Sequence, residues 1–220
     1  MSAPSTVRGP AGLSTKAKRV ILAVVVVVLL VAMALDTKVV GKGSTLGAGP
    51  QAFSPATWGK ENFPKVQAAI EKRAVDASTL AAAVAKSPTA AGKKYGIDAG
   101  SGAGPEVSVK FTGVVGKGAS GIYPVKVAGL PKNLLIRIQT GPAINGTDLR
   151  DAPGTVKFGD FTNQIDYQNA ASALNAQLKK QVLAKVDTAH LTGKTVSVVG
   201  AFQLINPNAW LVTPAKLTVS

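Results

Sequence analysis

The chain has 220 residues, 46% of them hydrophobic and 16% charged, with 25 Lys+Arg against 11 Asp+Glu, a single His and no Cys. Without cysteine there is no disulfide, thiolate metal site, cysteine nucleophile or lipidated cysteine, and one histidine excludes a multi-histidine metal centre. The net charge of +14 invites a nucleic-acid reading, but the lysines recur singly or in pairs, and 6 Phe, 3 Tyr and 2 Trp offer few stacking platforms.

Residues 1–19 are a basic leader carrying Arg8, Lys16, Lys18 and Arg19 without an acid, which leaves +10 on the remainder. Val20 to Leu35 follows as an uncharged apolar run of sixteen residues with no Gly, Pro or polar side chain. A helix of that length rises roughly 24 Å against the ~30 Å of a hydrocarbon core, so with a few flanking residues 20–40 reads as a transmembrane anchor or signal segment. The basic residues before it put the N-terminus in the cytoplasm and the rest of the chain outside, a single-pass arrangement at the cell membrane. Ala32-Met33-Ala34 leaves signal cleavage after Ala34 open. Residues 41–52 have the Gly-rich composition of a flexible tether.

The working domain is expected over 53–220. Ser54-Pro55 opens a helical, Ala-rich region that runs to Lys94 and breaks near Asp76 and at Ser87-Pro88. Val107, Val109 and Phe111 then alternate with Ser108, Lys110 and Thr112, the period of a half-buried strand. Further strands are expected around Ile122–Val127 and Leu134–Gln139, with a loop over 141–154 and a short extended piece at 155–158. A helix is expected from about Tyr167 to Val186, with Ala171, Leu174, Leu178, Val182 and Val186 on its inner face. Strands at 195–205 and 211–219, joined by the turn 206–210, close the chain. Three strands, a helix and two strands is the order of an OB-type barrel, so the fold class is α+β, mainly antiparallel β: an OB-like β-barrel with helical additions.

The motifs are weak on their own. Gly116-Lys-Gly-Ala-Ser-Gly121 matches G-x-G-x-x-G, but a strand follows where a dinucleotide site needs a helix, so it reads as a hairpin turn. No nucleophile elbow accompanies His190 and Asp187, and no metal-ligand spacing or cofactor motif is present. The densest polar stretch is 141–167, which holds Asn145, Thr147, Asp148, Arg150, Asp160, Asn163 and Gln164 beside Phe158, Phe161 and Tyr167. Amides and carboxylates next to aromatic faces suit hydroxyl-rich ligands such as sugars; the same residue types also cap helices and close turns.

The sequence resembles the bacterial predicted periplasmic lipoproteins of a domain-of-unknown-function group. The resemblance spans roughly Ala52 to Val219 and rests on Gln139-Thr-Gly-Pro142, Gly146-Thr-Asp-Leu-Arg-Asp-Ala152, Phe158-Gly-Asp-Phe-Thr-Asn-Gln-Ile165, Leu191-Thr-Gly-Lys-Thr-Val196 and Gly200-Ala-Phe202. It implies an OB-like barrel, in one unit or in two with exchanged strands, and an accessory role beside carbohydrate ABC importers, with no catalytic residue to carry over. The chain departs from that pattern in lacking a cysteine for a lipid, so its apolar helix must take the lipid's place. The expectation is therefore a membrane-tethered, extracytoplasmic, non-catalytic binding or accessory protein. Its partners would be the membrane through Val20 to Leu35 and a carbohydrate importer or its sugar. A polyanion-binding OB module of the cell envelope and a glycoside hydrolase using two carboxylates such as Asp148 and Asp160 are the alternatives.

Overall fold

A computed structural model describes residues 15–36, 52–100 and 102–220 of the chain. Residues 1–14 of the basic leader, 37–40 of the expected anchor and all but Ala52 of the expected tether lie outside the described residues. The chain divides into two units, Met1–Ala52 and Phe53–Ser220.

In the first unit, helix α1 (Thr15–Asp36) carries the apolar run, whose large side chains from Val20 to Val31 and at Met33 are exposed. Among the described residues no helix is long and apolar enough to cross a membrane. The transmembrane part of the sequence expectation is not shown.

The second unit begins with α2 (Pro55–Arg73), α3 (Ala77–Lys86) and α4 (Pro88–Tyr95). Proline occupies an N-terminal position in α2 and α4, where its missing N–H costs nothing, and the Ser87 side chain accepts the Ala90 N–H at 3.2 Å to start α4. Two-residue strands follow α2 and α4, β1 (Val75–Asp76) and β2 (Gly96–Ile97). Strands β3 (Glu106–Val115), β4 (Ile122–Lys126) and β5 (Leu135–Gln139) come next. After them come α5 (Asp148–Asp151), α6 (Gln164–Gln181), β6 (Thr195–Gln203) and β7 (Ala209–Val219).

The sheet runs β3-β4-β5-β7-β6 and closes on itself through β6 against β3. Within this closed row all neighbours are antiparallel except β5 and β7, which run parallel with Ile136 opposite Trp210 and Ile138 opposite Val212, while the short β1 adds to β3 in parallel. In barrel order this is first, second, third, fifth and fourth strand, with α6 joining the third to the fourth, which is the OB arrangement. Val107, Val109, Phe111, Ile136, Ile138, Val198, Phe202, Trp210 and Val212 are buried, and Phe202 stacks on Trp210 at 4.9 Å between ring centroids. The register of β6 against β7 shifts between Val199 and Gly200, where a Cβ on Gly200 would come within 2.4 Å of the Thr213 carbonyl oxygen. The bulge therefore requires glycine.

Helix α6 lies against α2 and α5, and its Ala170, Ala171, Ala173, Leu174 and Leu178 are buried. It starts three residues earlier than its apolar pattern suggests because the Asn163 side chain accepts the Asp166 N–H at 2.9 Å and caps it. It ends at Gln181, and Leu183–Lys185 tightens into a 3₁₀ turn before Val186. The extended piece expected at 155–158 is not a strand: Phe158–Asp160 is a 3₁₀ turn, closed by the Asp160 carboxylate accepting the Lys157 N–H at 2.8 Å. The G-x-G-x-x-G segment is a turn between β3 and β4, with Ser120 and Gly121 at positive φ. A Cβ on Gly121 would fall 1.1 Å from the Gly141 carbonyl oxygen, so only glycine admits the chain leaving β5.

Candidate functional site

Side chains on a strand alternate between faces, so Glu106 and Ser108 point away from the barrel interior that takes Val107 and Val109. Both are nevertheless buried, Glu106 at 2% exposure, because α5 lies over β6 and β7 on that outer face. Register adds further members: Ser108 pairs with Ala201, Ala201 with Thr213, and Glu106 with Gln203. Gln139, at the end of β5, reaches Thr213 from the neighbouring strand. The outcome is a buried polar layer between the barrel wall and the 141–154 connection.

Its hydrogen bonds are directional. Gln139 Nε2 donates to Thr213 Oγ1 at 2.5 Å, and Thr213 Oγ1 donates in turn to Asp148 Oδ2. The Gln139 amide also clasps the Asn145 backbone, donating to its carbonyl at 3.1 Å and accepting its N–H at 3.2 Å. Asn175 of α6 donates to the Ile144 and Gly146 carbonyls. Arg150 makes a two-pronged pair with Asp151 at 2.7 and 2.9 Å, donates to the Tyr167 carbonyl at 3.1 Å and lies 3.6 Å from the centre of the Tyr167 ring.

That pairing commits the guanidinium to Asp151 and leaves two acids under-compensated. Burial above all, with the Asp148 and Asp151 charges, pushes the Glu106 carboxyl up to about 8 despite the opposing pull of Arg150. Burial likewise pushes Asp148 up to about 6, against the Thr213 hydrogen bond that favours its charged form. Glu106 Oε2 has no hydrogen-bond partner among the described residues, an arrangement that costs free energy in either protonation state and most when the group is charged.

Beside this layer opens a cleft of about 600 Å³ between the β3–β4 turn, the end of β5 and the β6–β7 turn. Ser120, Gln139, Asn145, Asp148, Gln203 and Asn206 supply its polar side chains, and Ile122, Ala143, Ile205, Ala209 and Leu211 its apolar ones. No lysine or arginine lines it. The cleft lies by the two loops that frame the binding face of OB barrels.

The sequence-predicted site residues therefore separate into three places. Asn145 and Asp148 line the cleft. Thr147 is the residue before α5, its carbonyl accepting the Arg150 and Asp151 N–H groups, and Arg150 is buried in its pair. Asp160, Asn163 and Gln164 are exposed at the start of α6, where Asp160 and Asn163 cap turns, and the polar stretch does not form one continuous surface. Phe158, Phe161 and Tyr167 do not line the cleft either. Gln139, Gln203, Asn206 and the buried Glu106 and Thr213 were missed. The available signal was Glu106 and Ser108 on the outer face of a strand whose next outward residue, Lys110, is exposed. His190 is an exposed partner of Asp187, 2.8 Å away. Among the described residues no three His, Cys, Asp or Glu are placed to hold a metal ion.

The closed five-stranded order with its connecting helix defines an OB-fold protein. It is similar in structure to a crystallised OB-fold protein of Thermotoga maritima, at 21% sequence identity and a TM-score of 0.63, over 77% of this chain and 100% of that one. Residues 23–218 match the family described as predicted periplasmic lipoprotein (DUF2291), and the chain belongs to that family. No curated protein matches the chain in sequence.

Proposed function

We propose that this protein is an extracytoplasmic, membrane-attached binding module that holds a hydroxyl-rich ligand, such as a sugar, in the cleft beside Asp148 and serves an ABC importer of carbohydrate. The observation that carries the reading is the cleft's mixed lining: amide and carboxyl groups from Gln139, Asn145, Asp148, Gln203 and Asn206 face aliphatic groups from Ile122, Ile205 and Leu211. Hydroxyl-bearing ligands present hydrogen-bonding edges and apolar C–H faces together, and a pre-formed cleft of several hundred Å³ suits a ligand of one or two rings. The relay from Gln139 through Thr213 aims an O–H at Asp148 from behind, which fixes the carboxyl and leaves its other oxygen for the ligand. The importer assignment rests on the family resemblance.

Attachment is through α1. With no cysteine in the chain to carry a lipid, the apolar run from Val20 to Leu35, behind its basic leader, holds the N-terminus at the cytoplasmic side and the barrel outside. Signal cleavage after Ala34 is the competing topology, and the mass of the protein extracted from membranes decides between them.

The polyanion reading predicts a basic site, and this cleft has none. Binding that collapses between low and high salt would favour it nonetheless. The test of the sugar reading is thermal unfolding of the chain with pentoses, hexoses and short glycans at millimolar concentration. A ligand at 100 times its Kd adds about 2.7 kcal/mol. A selective upward shift that Asp148→Asn abolishes supports the reading, and no shift with any of them refutes it.

A further inference from the structure

Five aromatic rings of the second unit meet in one patch. Phe53 lies 6.1 Å from Trp58 and 5.4 Å from Phe161, Trp58 lies 5.6 Å from Phe161, and Tyr167 lies 5.4 Å from Phe161 and 5.6 Å from Phe158, all between centroids. The patch is only half sunk. Phe53, Trp58, Phe161 and Tyr167 are partly exposed, Phe158 is 52% exposed, and Ile165, on the first turn of α6, is 69% exposed. In a chain with 6 Phe, 3 Tyr and 2 Trp, this concentrates nearly half of the aromatic residues on one surface.

The rings of the patch are packed on their surroundings and on one another. Arg150 stacks beneath Tyr167 at 3.6 Å, the Tyr167 hydroxyl donates to Asp151 at 3.3 Å, and edge-on contacts join the remaining rings. It also has a fixed place along the chain. Phe53 opens the folded unit, and sixteen residues, 37–52, separate it from Asp36 at the end of α1. Even fully extended, that segment spans at most about 55 Å. Whatever receives α1 is therefore held within a few nanometres of these rings, at an effective concentration on the order of millimolar, where a weak surface affinity suffices. Aromatic side chains with an apolar body and a polar edge settle at the headgroup level of a bilayer, and the exposed Lys60 and Lys157 complement anionic headgroups.

We infer that the Phe53–Trp58–Phe158–Phe161–Tyr167 patch is the lipid-facing surface of the barrel domain, seated in the headgroup region of the bilayer to which the chain is attached. It rests on the membrane attachment proposed above. It leaves the cleft free for ligand, since none of the five rings lines it.

The chain carries its own reporter. Of its two tryptophans, Trp210 is fully buried against Phe202, whereas Trp58 belongs to the patch. The full chain is reconstituted in vesicles of phosphatidylcholine and phosphatidylglycerol, with and without brominated acyl chains, and tryptophan emission and vesicle flotation are read together. Expected is flotation with loss of emission in the brominated vesicles, which disappears in Trp58→Phe and is weakened in Phe158→Ser. Phe158 is exposed enough for that change to leave the fold intact. Flotation with equal emission in both vesicles would overturn the patch while leaving the anchor standing. Failure to float would overturn the attachment and the patch together. Emission that ignores lipid but answers to a soluble glycan would make the patch a ligand platform and refute its lipid role.

Discussion

Replacing Glu106 by Gln isolates the proton that the buried layer is expected to hold. Its carboxyl is pushed from 4.5 up to about 8 in the fold, first by burial and then by Asp148 and Asp151, while the unfolded chain keeps the lower value. Between those limits the folded state binds a proton that the unfolded state has released. The associated stability is fully present below pH ~4.5 and is lost as the pH rises towards about 8, at about 1.4 kcal/mol per pH unit. Asp148, raised to about 6, adds a second loss that is complete by that pH. From pH 6 to 8 Glu106 therefore acts without Asp148, and the wild type should lose about 2–3 kcal/mol, or roughly 4–12 °C in Tm for a domain of this size. Glu106→Gln keeps the shape without the titration and should be flat over this window, retaining only the Asp148 slope below pH 6. Denaturant unfolding of both chains in detergent at half-unit pH steps reads this directly. Wild type and variant falling in parallel from pH 6 to 8 would show that Glu106 is ionised in the fold, and the reasoning about the layer would fail.

Two further substitutions separate structural from binding roles within 141–167. Arg150→Ala strands Asp151, 4% exposed, without its partner and should cost about 3–5 kcal/mol in denaturant unfolding, whereas Arg150→Lys should recover part of that loss. Asn163→Ala removes the α6 cap and should cost about 1 kcal/mol while leaving ligand-induced thermal shifts unchanged; a lost ligand response would return Asn163 to the binding surface.

What could be read from the sequence was what repeats locally. The alternation of Val107, Val109 and Phe111 located β3, the spacing of Ala171, Leu174 and Leu178 located α6, and the strand order led to the barrel. Strands β1 and β2 have two residues each, too short to show any period, and they form only because β3 presents a free edge. Asn145 and Asp148 were found because polar residues crowd the loop. Gln139, Thr213 and Glu106 were not, because they join that loop through strand register, and a buried acid at a strand end looks in sequence like an exposed one. The aromatic patch shows the same limit: Phe161 meets Phe53 and Trp58 across more than a hundred residues, a proximity that no local pattern records.

The short strands bear on where this protein can be cut. Strand β3 is covered by β6 along nearly its whole length, but its other side is shared in succession by β2, β1 and β4. The helices between Pro55 and Tyr95 thus deliver the two segments that close an otherwise open row of backbone donors and acceptors. A minimal barrel trimmed to begin at Glu106 would carry a bare strand margin into solution, ready to accept a strand from a neighbouring molecule. The helical region is the selvedge of the sheet, and the smallest well-behaved form of the domain includes it.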